Sequence, residues 1–250
     1  MSAARLVIDA NIRLSKATAG VLQLPSDKDL WARFEQEVQH RIRSLPDGAS
    51  VLDVGGGRRC VYWHALRPEL ELIVADVSAE ELALNPHATH TVVADVSQGL
   101  PLPAASVDLL VSRAVLEHVP DVRAAARNMA SVLKPGATTI HLVPGRFSLF
   151  GLAARVLPFK ALLAAVHRVL PHTADQVEFE VHYDQGTPAQ MQRAFEAAGF
   201  RDVSVEVTWA QPGYFEAVYP LFLLYTAYEA IVRRLRVRPL AAYMVVQATR

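Results

Sequence analysis

The run Ser50-Val51-Leu52-Asp53-Val54-Gly55-Gly56-Gly57-Arg58-Arg59 decides how this chain is organised. A short apolar segment reaches a carboxylate and then breaks into three glycines, the pattern of a buried strand turning sharply into a ligand-holding loop. Glycine lacks Cβ, so its backbone takes positive φ and lies bare against a ligand. Residues 60–66 have helical composition, and a helix there would aim its N-terminal amides at the same cavity. The dinucleotide-binding fingerprint needs glycines at its first, third and sixth places, and here the sixth is Cys60. The loop alone fixes no cofactor.

Working outward, residues 29–44 place Leu30, Trp31, Phe34, Val38 and Ile42 near helical spacing, with Ser26 or Asp27 as the cap. Leu45-Pro46-Asp47-Gly48 turns the chain from that helix into the first strand. Residues 1–28 show no firm periodicity and read as a lid or frayed arm. Beyond the loop, strands are expected at 70–75, 91–94, 107–112, 138–143, 201–209 and 241–249. Helices at 79–84, 121–133 and from Thr187-Pro188 to Gly199 separate them. Strands alternating with helices imply parallel pairing. The class expected is α/β, and the strand count reaches seven. Without a repeat or low-complexity linker, 1–250 reads as a single domain, with an arm and helix over 1–45 and apolar helical insertions over 146–180 and 211–238.

Two further acids follow strands. Asp76 ends Leu72-Ile73-Val74-Ala75, about twenty residues past the glycines, where a carboxylate accepts ribose hydroxyls or else caps the next helix. Asp95 follows the third strand within Ala94-Asp95-Val96. Then come Leu100-Pro101-Leu102-Pro103 leading to Asp108, Ser112-Arg113-Ala114-Val115-Leu116-Glu117-His118-Val119-Pro120, and Leu133-Lys134-Pro135-Gly136. In order and spacing, residues 51–143 resemble the class I S-adenosylmethionine-dependent methyltransferases of the type 11 kind. The first motif departs at one point, since the third alternate glycine is Arg59.

The resemblance implies S-adenosylmethionine as cofactor and an α/β fold, a Rossmann-like doubly wound sheet of seven mostly parallel strands whose last strand is antiparallel. It implies a cofactor pocket made by Asp53, Gly55, Gly56, Gly57, Asp76, Asp95 and the backbone at Arg113, with Val77 and Val96 flanking the adenine. The reaction implied is displacement at a sulfonium methyl, in which the cofactor brings the activated group. A hydroxyl acceptor needs a base, and His118 is the residue expected to act as one. His141, inside an apolar strand, reads instead as a core residue. His182, Tyr183 and Asp184 read as loop or acceptor-side residues.

Charges balance at 25 acidic and 25 basic, so no overall field points to nucleic acid. Residues 122–174 nevertheless contain no acid and seven Lys or Arg. The single Cys60 reads as a buried small residue, no metal-ligand spacing appears, and the N-terminus has no signal-peptide core. A cytoplasmic location is expected. The apolar segments 147–170 and 214–238 read as cap helices, or as a surface that takes a small-molecule or lipid-like acceptor and touches a membrane peripherally. Methyl transfer at oxygen leads; a catalytically silent cofactor-binding domain and an NAD(P)-dependent oxidoreductase are its rivals.

Overall fold

The computed structural model describes residues 3–148, 180–210 and 213–250. Its centre is a seven-stranded sheet: β1 (Ser50–Val54), β2 (Glu71–Asp76), β3 (His90–Val93), β4 (Val107–Arg113), β5 (Leu133–Pro144), β6 (Arg201–Thr208) and β7 (Tyr243–Thr249). Spatial order is β3-β2-β1-β4-β5-β7-β6. β7 runs antiparallel to both its neighbours, β5 and β6, and the other pairings are parallel. The expected doubly wound sheet with an antiparallel last strand is therefore present. Because strand order reverses between β1 and β4, their carboxyl ends frame the crevice in which open α/β sheets bind ligands.

The period of two assigns residues to faces. Val51, Leu109, Val111 and Ile140 join α2 (Asp27–Ser44) through Leu30, Phe34, Val38 and Ile42. Leu52, Val54 and Leu110 join α4 (Val122–Val132) and α5 (Pro188–Ala197), which bring Ala125, Met129, Met191 and Phe195. Continuous apolar strands are what a sheet covered on both faces requires. α2 is capped by Ser26, whose hydroxyl accepts from the Lys28 N–H while Asp29 reaches back to the Ser26 N–H.

Three local expectations change. Residues 60–66 form no α-helix, only a 3-10 turn over Trp63–Ala65, because Cys60 and Tyr62 are drawn under the sheet into the α2-side core. No helix dipole therefore faces the crevice from that side. α4 passes directly into β5 at Leu133, so Lys134-Pro135-Gly136 belongs to the strand rather than to a gap. Gly136 keeps the ladder by taking φ +83° and donating to the Arg250 carbonyl.

The arm over residues 1–28 is also ordered differently. α1 (Ala3–Val21) docks on the 3-10 turn Gly213–Ala217 and on α6 (Tyr219–Arg234). The buried Ser15 hydroxyl donates to the Glu216 carbonyl, Thr18 meets the Tyr219 hydroxyl, and Asn11 Oδ1 accepts from the Tyr219 N–H. Those partners lie about two hundred residues away, which is why local periodicity is weak. The insertion expected over 146–180 falls, apart from its ends, outside the described residues, while α6 occupies Tyr219–Arg234 of the stretch 211–238. His141 is the core residue expected: Ser112 and Thr139 hydroxyls meet its two ring nitrogens at 2.7 and 2.6 Å, and burial lowers its pKa to about 3.

Candidate cofactor and acceptor site

A cavity of about 640 Å³ opens at the carboxyl ends of β1, β2, β3 and β4. Gly55 forms its floor. Its φ is +71°, its N–H donates to the Ala75 carbonyl at 2.6 Å, and a Cβ there would lie 2.3 Å from Val115 Cγ2. Bare backbone is thus required by conformation and by contact.

Asp76 stands at the end of β2 on the cavity wall, almost fully buried. One carboxylate oxygen accepts the Gly57 N–H at 3.1 Å and the other the Ser78 N–H at 3.0 Å. Asp76 therefore braces the loop and the start of α3 (Ala79–Ala83), and each of its oxygens retains a lone pair. Ser78 itself caps α3 through the Glu81 N–H. Asp95 lies on the same cavity, its Oδ1 taking both the backbone N–H and the hydroxyl of Ser97 at 2.8 Å. Val77, exposed at the rim, and Val96, buried behind, supply apolar walls beside the two acids.

The remaining loop residues act beneath the cavity. Asp53 does not line it; its carboxylate sits under Gly56, where a Cβ would approach Oδ2 to 2.6 Å. Burial pushes the Asp53 pKa up to about 7, against the opposing pull of the Tyr62 hydroxyl and the Arg113 charge. Gly57 is held by Asp76 and by the Asn85 side-chain amide, which donates to its carbonyl at 2.7 Å. Arg58 pairs with Glu81. Arg59, the departure from the family pattern, is exposed and does not line the cavity. Arg113 turns its side chain toward Glu35 and the Trp31 ring, and the neighbouring Ala114, with φ +55°, carries the backbone into the cavity wall.

The opposite wall is the turn 115–120 with residues 180–184. The Glu117 carbonyl accepts the N–H groups of His182 and Tyr183, and Asp184 accepts the Val122 N–H at the start of α4. His118 lines the cavity; its Nδ1 meets the Glu180 carbonyl at 2.9 Å and its Nε2 lies 3.6 Å from Glu117 Oε1. Glu117 is the site residue that the sequence reading passes over. It is buried on the cavity wall, its Oε2 has no hydrogen-bond partner among the described residues, and burial pushes its pKa up to about 8. The available signal was an acid between Leu116 and Val119 in a turn too apolar to be a solvated one.

Of the expected pocket residues, the structure brings Gly55, Asp76, Val77, Asp95, Val96 and His118 to one cavity and sets Asp53, Gly56, Gly57 and Arg113 outside it, the backbone there being that of Ala114. The cavity fits an adenosyl group: a bare floor, an acid at the end of β2, a second acid after β3, and apolar residues between. Among the described residues no cluster of three His, Cys, Asp or Glu is arranged to hold a metal.

Comparison with known proteins agrees. Residues 28–205 match the family model described as a methyltransferase domain. An uncharacterized methyltransferase of Mycobacterium sp. (strain JLS) is 31% identical over 114 residues, 45% of this chain and 42% of its own length. The chain thus matches less than half the length of that curated relative. Among solved structures, a SAM-dependent methyltransferase from Archaeoglobus fulgidus superposes with a TM-score of 0.55 at 18% identity, over 90% of this chain and 95% of its own. Geranyl diphosphate C-methyltransferase from Streptomyces coelicolor A3(2), solved with Mg2+, geranyl diphosphate and S-adenosyl-L-homocysteine, gives 0.56 at 12% identity over 89% and 80%. The strand order, the glycine loop and the family match lead to one assignment: this chain belongs to the methyltransferase-domain family, in its class I, S-adenosylmethionine-dependent branch.

Proposed function

We propose that the protein transfers the methyl group of S-adenosylmethionine to the oxygen of a small, lipid-like acceptor. The observation carrying this reading is that Gly55, Asp76 and Asp95, separated by up to forty residues, line one cavity at the strand-order reversal. When bound, the cofactor supplies a methyl carbon already activated on a sulfonium. Asp76 and Asp95 hold the adenosyl part, and Val77 and Val96 clasp the base. His118, about one quarter exposed, carries the released proton from the acceptor wall toward solvent.

Positioning alone supplies several kcal/mol, up to about 7–11 in the best intramolecular cases. The test is labelling: the purified protein incubated with methyl-tritiated cofactor and a lipid extract should place tritium in the organic phase. Cofactor binding without any transfer would favour the catalytically silent domain.

The lipid-like acceptor and a membrane-facing surface are supported by α6. Phe222, Tyr225 and Val232 face inward, whereas Leu221, Leu224, Ile231 and Leu235 recur at helical spacing on the exposed side. The helix runs into Arg233, Arg234, Arg236 and Arg238, which border one groove with Trp209. An apolar stripe ending in cations suits an anionic bilayer surface. No described helix is long and apolar enough to cross a membrane. Sedimentation with phosphatidylglycerol vesicles, but not with phosphatidylcholine vesicles, is the expected result; equal recovery from both would discard the surface.

A further inference from the structure

We propose that the groove at the C-terminal end of α6 is a phosphate site, distinct from the cofactor cavity, which takes a phosphomonoester group borne on an apolar body. The site goes beyond methyl transfer; its lipid source rests on the membrane-facing reading of α6.

The groove has a volume of about 800 Å³ and is lined by Arg233, Arg234, Arg236 and Arg238 together with Val207 and Trp209 from the end of β6. β6 points the same way as β5, since both oppose β7, so its end lies at the same sheet edge as the cofactor cavity. It is the outermost strand, and groove and cavity share no described lining residue.

The local fold gathers the four cations. The Val237 N–H donates to the Val232 carbonyl and the Arg236 N–H to the Arg233 carbonyl, the Schellman ending of a helix. That ending needs one residue at positive φ, and Arg236 takes it at +51°, where glycine is usual. The reversal returns the chain to β6, whose Val205 carbonyl accepts from the Arg238 guanidinium. Trp209 is tied to both partners: its indole N–H donates to the Val237 carbonyl at 3.0 Å, and its own carbonyl accepts the Tyr225 hydroxyl at 3.0 Å. The groove is therefore held in shape by the chain itself.

Charge selects the ligand. The helix dipole accounts for cations in the last turn of α6, Arg233 and Arg234, but it fades beyond that turn, where Arg236 and Arg238 lie. Among the described residues Glu229 is the only carboxylate within salt-bridge distance of the four, 4.0 Å from Arg233, and it also accepts the Tyr225 hydroxyl. All four arginines are exposed, so a ligand reaches them from solvent. Each guanidinium offers a planar fork of donors that matches phosphate oxygens. A phosphomonoester brings three such oxygens and a charge of about −1.5 to −2, more than the single charge of a diester. The exposed Leu224, Ile231 and Leu235 on the same helix end suit an apolar body.

The experiment uses the full chain in about 0.15 M salt, where a Debye length of about 8 Å screens diffuse attraction. Binding is compared between phosphatidylcholine vesicles carrying phosphatidic acid, a monoester, and vesicles of matched surface charge carrying phosphatidylglycerol, a diester. Soluble glycerol 3-phosphate is titrated separately by calorimetry. The expected result is binding to phosphatidic acid about tenfold tighter or more, with that preference lost in the R234Q/R236G variant. Glycine suits the turn at residue 236, so R236G alone should keep its circular dichroism and a thermal midpoint no lower than that of the unmodified protein. Equal binding to the two anionic vesicles, with no uptake of glycerol 3-phosphate, would keep the membrane-facing surface and overturn the phosphate site. Glycerol 3-phosphate bound by the unmodified chain and not by R234Q/R236G, with no vesicle bound, would keep the site with a soluble phosphate and discard the membrane. A preference that survives in R234Q/R236G, or tighter binding of an oligonucleotide with its diester phosphates, overturns the proposal. None of these measurements involves the cofactor, so methyl transfer stands or falls separately.

Discussion

The two walls of the cavity treat their carboxyl groups in opposite ways. On the cofactor wall Asp76 and Asp95 accept backbone N–H groups at 2.8–3.1 Å, which fixes how their side chains are oriented. On the acceptor wall Glu117 has a buried oxygen with no partner among the described residues, and burial favours its neutral form. Donors hold the first pair in place; burial without a donor among the described residues leaves Glu117 favouring its neutral form. The two kinds of carboxyl group line one cavity of about 640 Å³.

The largest way to break that comparison is to remove the cofactor wall while leaving the other. Gly55→Val places methyls where Val115 already sits and forces a branched residue to φ +71°. Cofactor affinity should fall by at least about 100-fold, or about 2.7 kcal/mol, by calorimetry. Circular dichroism should still show the sheet, and Val115→Ala in the same chain should restore part of the affinity.

A second change acts on the acceptor wall alone. The fold keeps a proton on Glu117 up to about pH 8, whereas the unfolded chain loses it above its ordinary value of 4.5. The folded state therefore binds more protons between those values, and stability falls as pH rises through them. Glu117→Gln removes that part of the fall. It should be more stable than the unmodified protein by about 1–3 kcal/mol at pH 8 and equal to it at pH 4, measured by urea unfolding. Asp53, with a pKa near 7, continues to contribute a slope of the same sign.

The smallest effect is expected at the point where the glycine pattern departs from its family. Arg59 is exposed and off the cavity, so Arg59→Gly should change cofactor affinity by less than about threefold, within about 0.7 kcal/mol. A larger gain would mean that its side chain narrows the pocket in solution.

These contrasts also mark what a chain without coordinates discloses. The strand-ending acids Asp76 and Asp95 are legible because strand, turn and acid are contiguous, and a parallel sheet brings such ends to one edge. The core role of His141 is legible for a similar reason, an imidazole in an apolar run flanked in space by hydroxyls. Asp53 and Arg113 show the limit: the motif assigns both to the pocket, whereas packing sets one beneath Gly56 and turns the other to Trp31. α1 is hidden because its partners come from α6, and the expected helix over 60–66 yields to burial of Tyr62. Glu117 lies in plain view beside His118, yet the burial of its Oε2 without a partner among the described residues is a property of tertiary packing, which no local pattern encodes.

The central claim is that Asp76 and Asp95 jointly hold the adenosyl group. Calorimetric titration of S-adenosylhomocysteine into the unmodified protein and the Asp76→Ala/Asp95→Ala variant tests it most directly. One site per chain, weakened about 100-fold or more in the variant, corresponds to losing two hydrogen-bonding carboxylates worth about 1.5 kcal/mol or more each. Equal affinity in the two proteins, or no binding to the unmodified one, would contradict it.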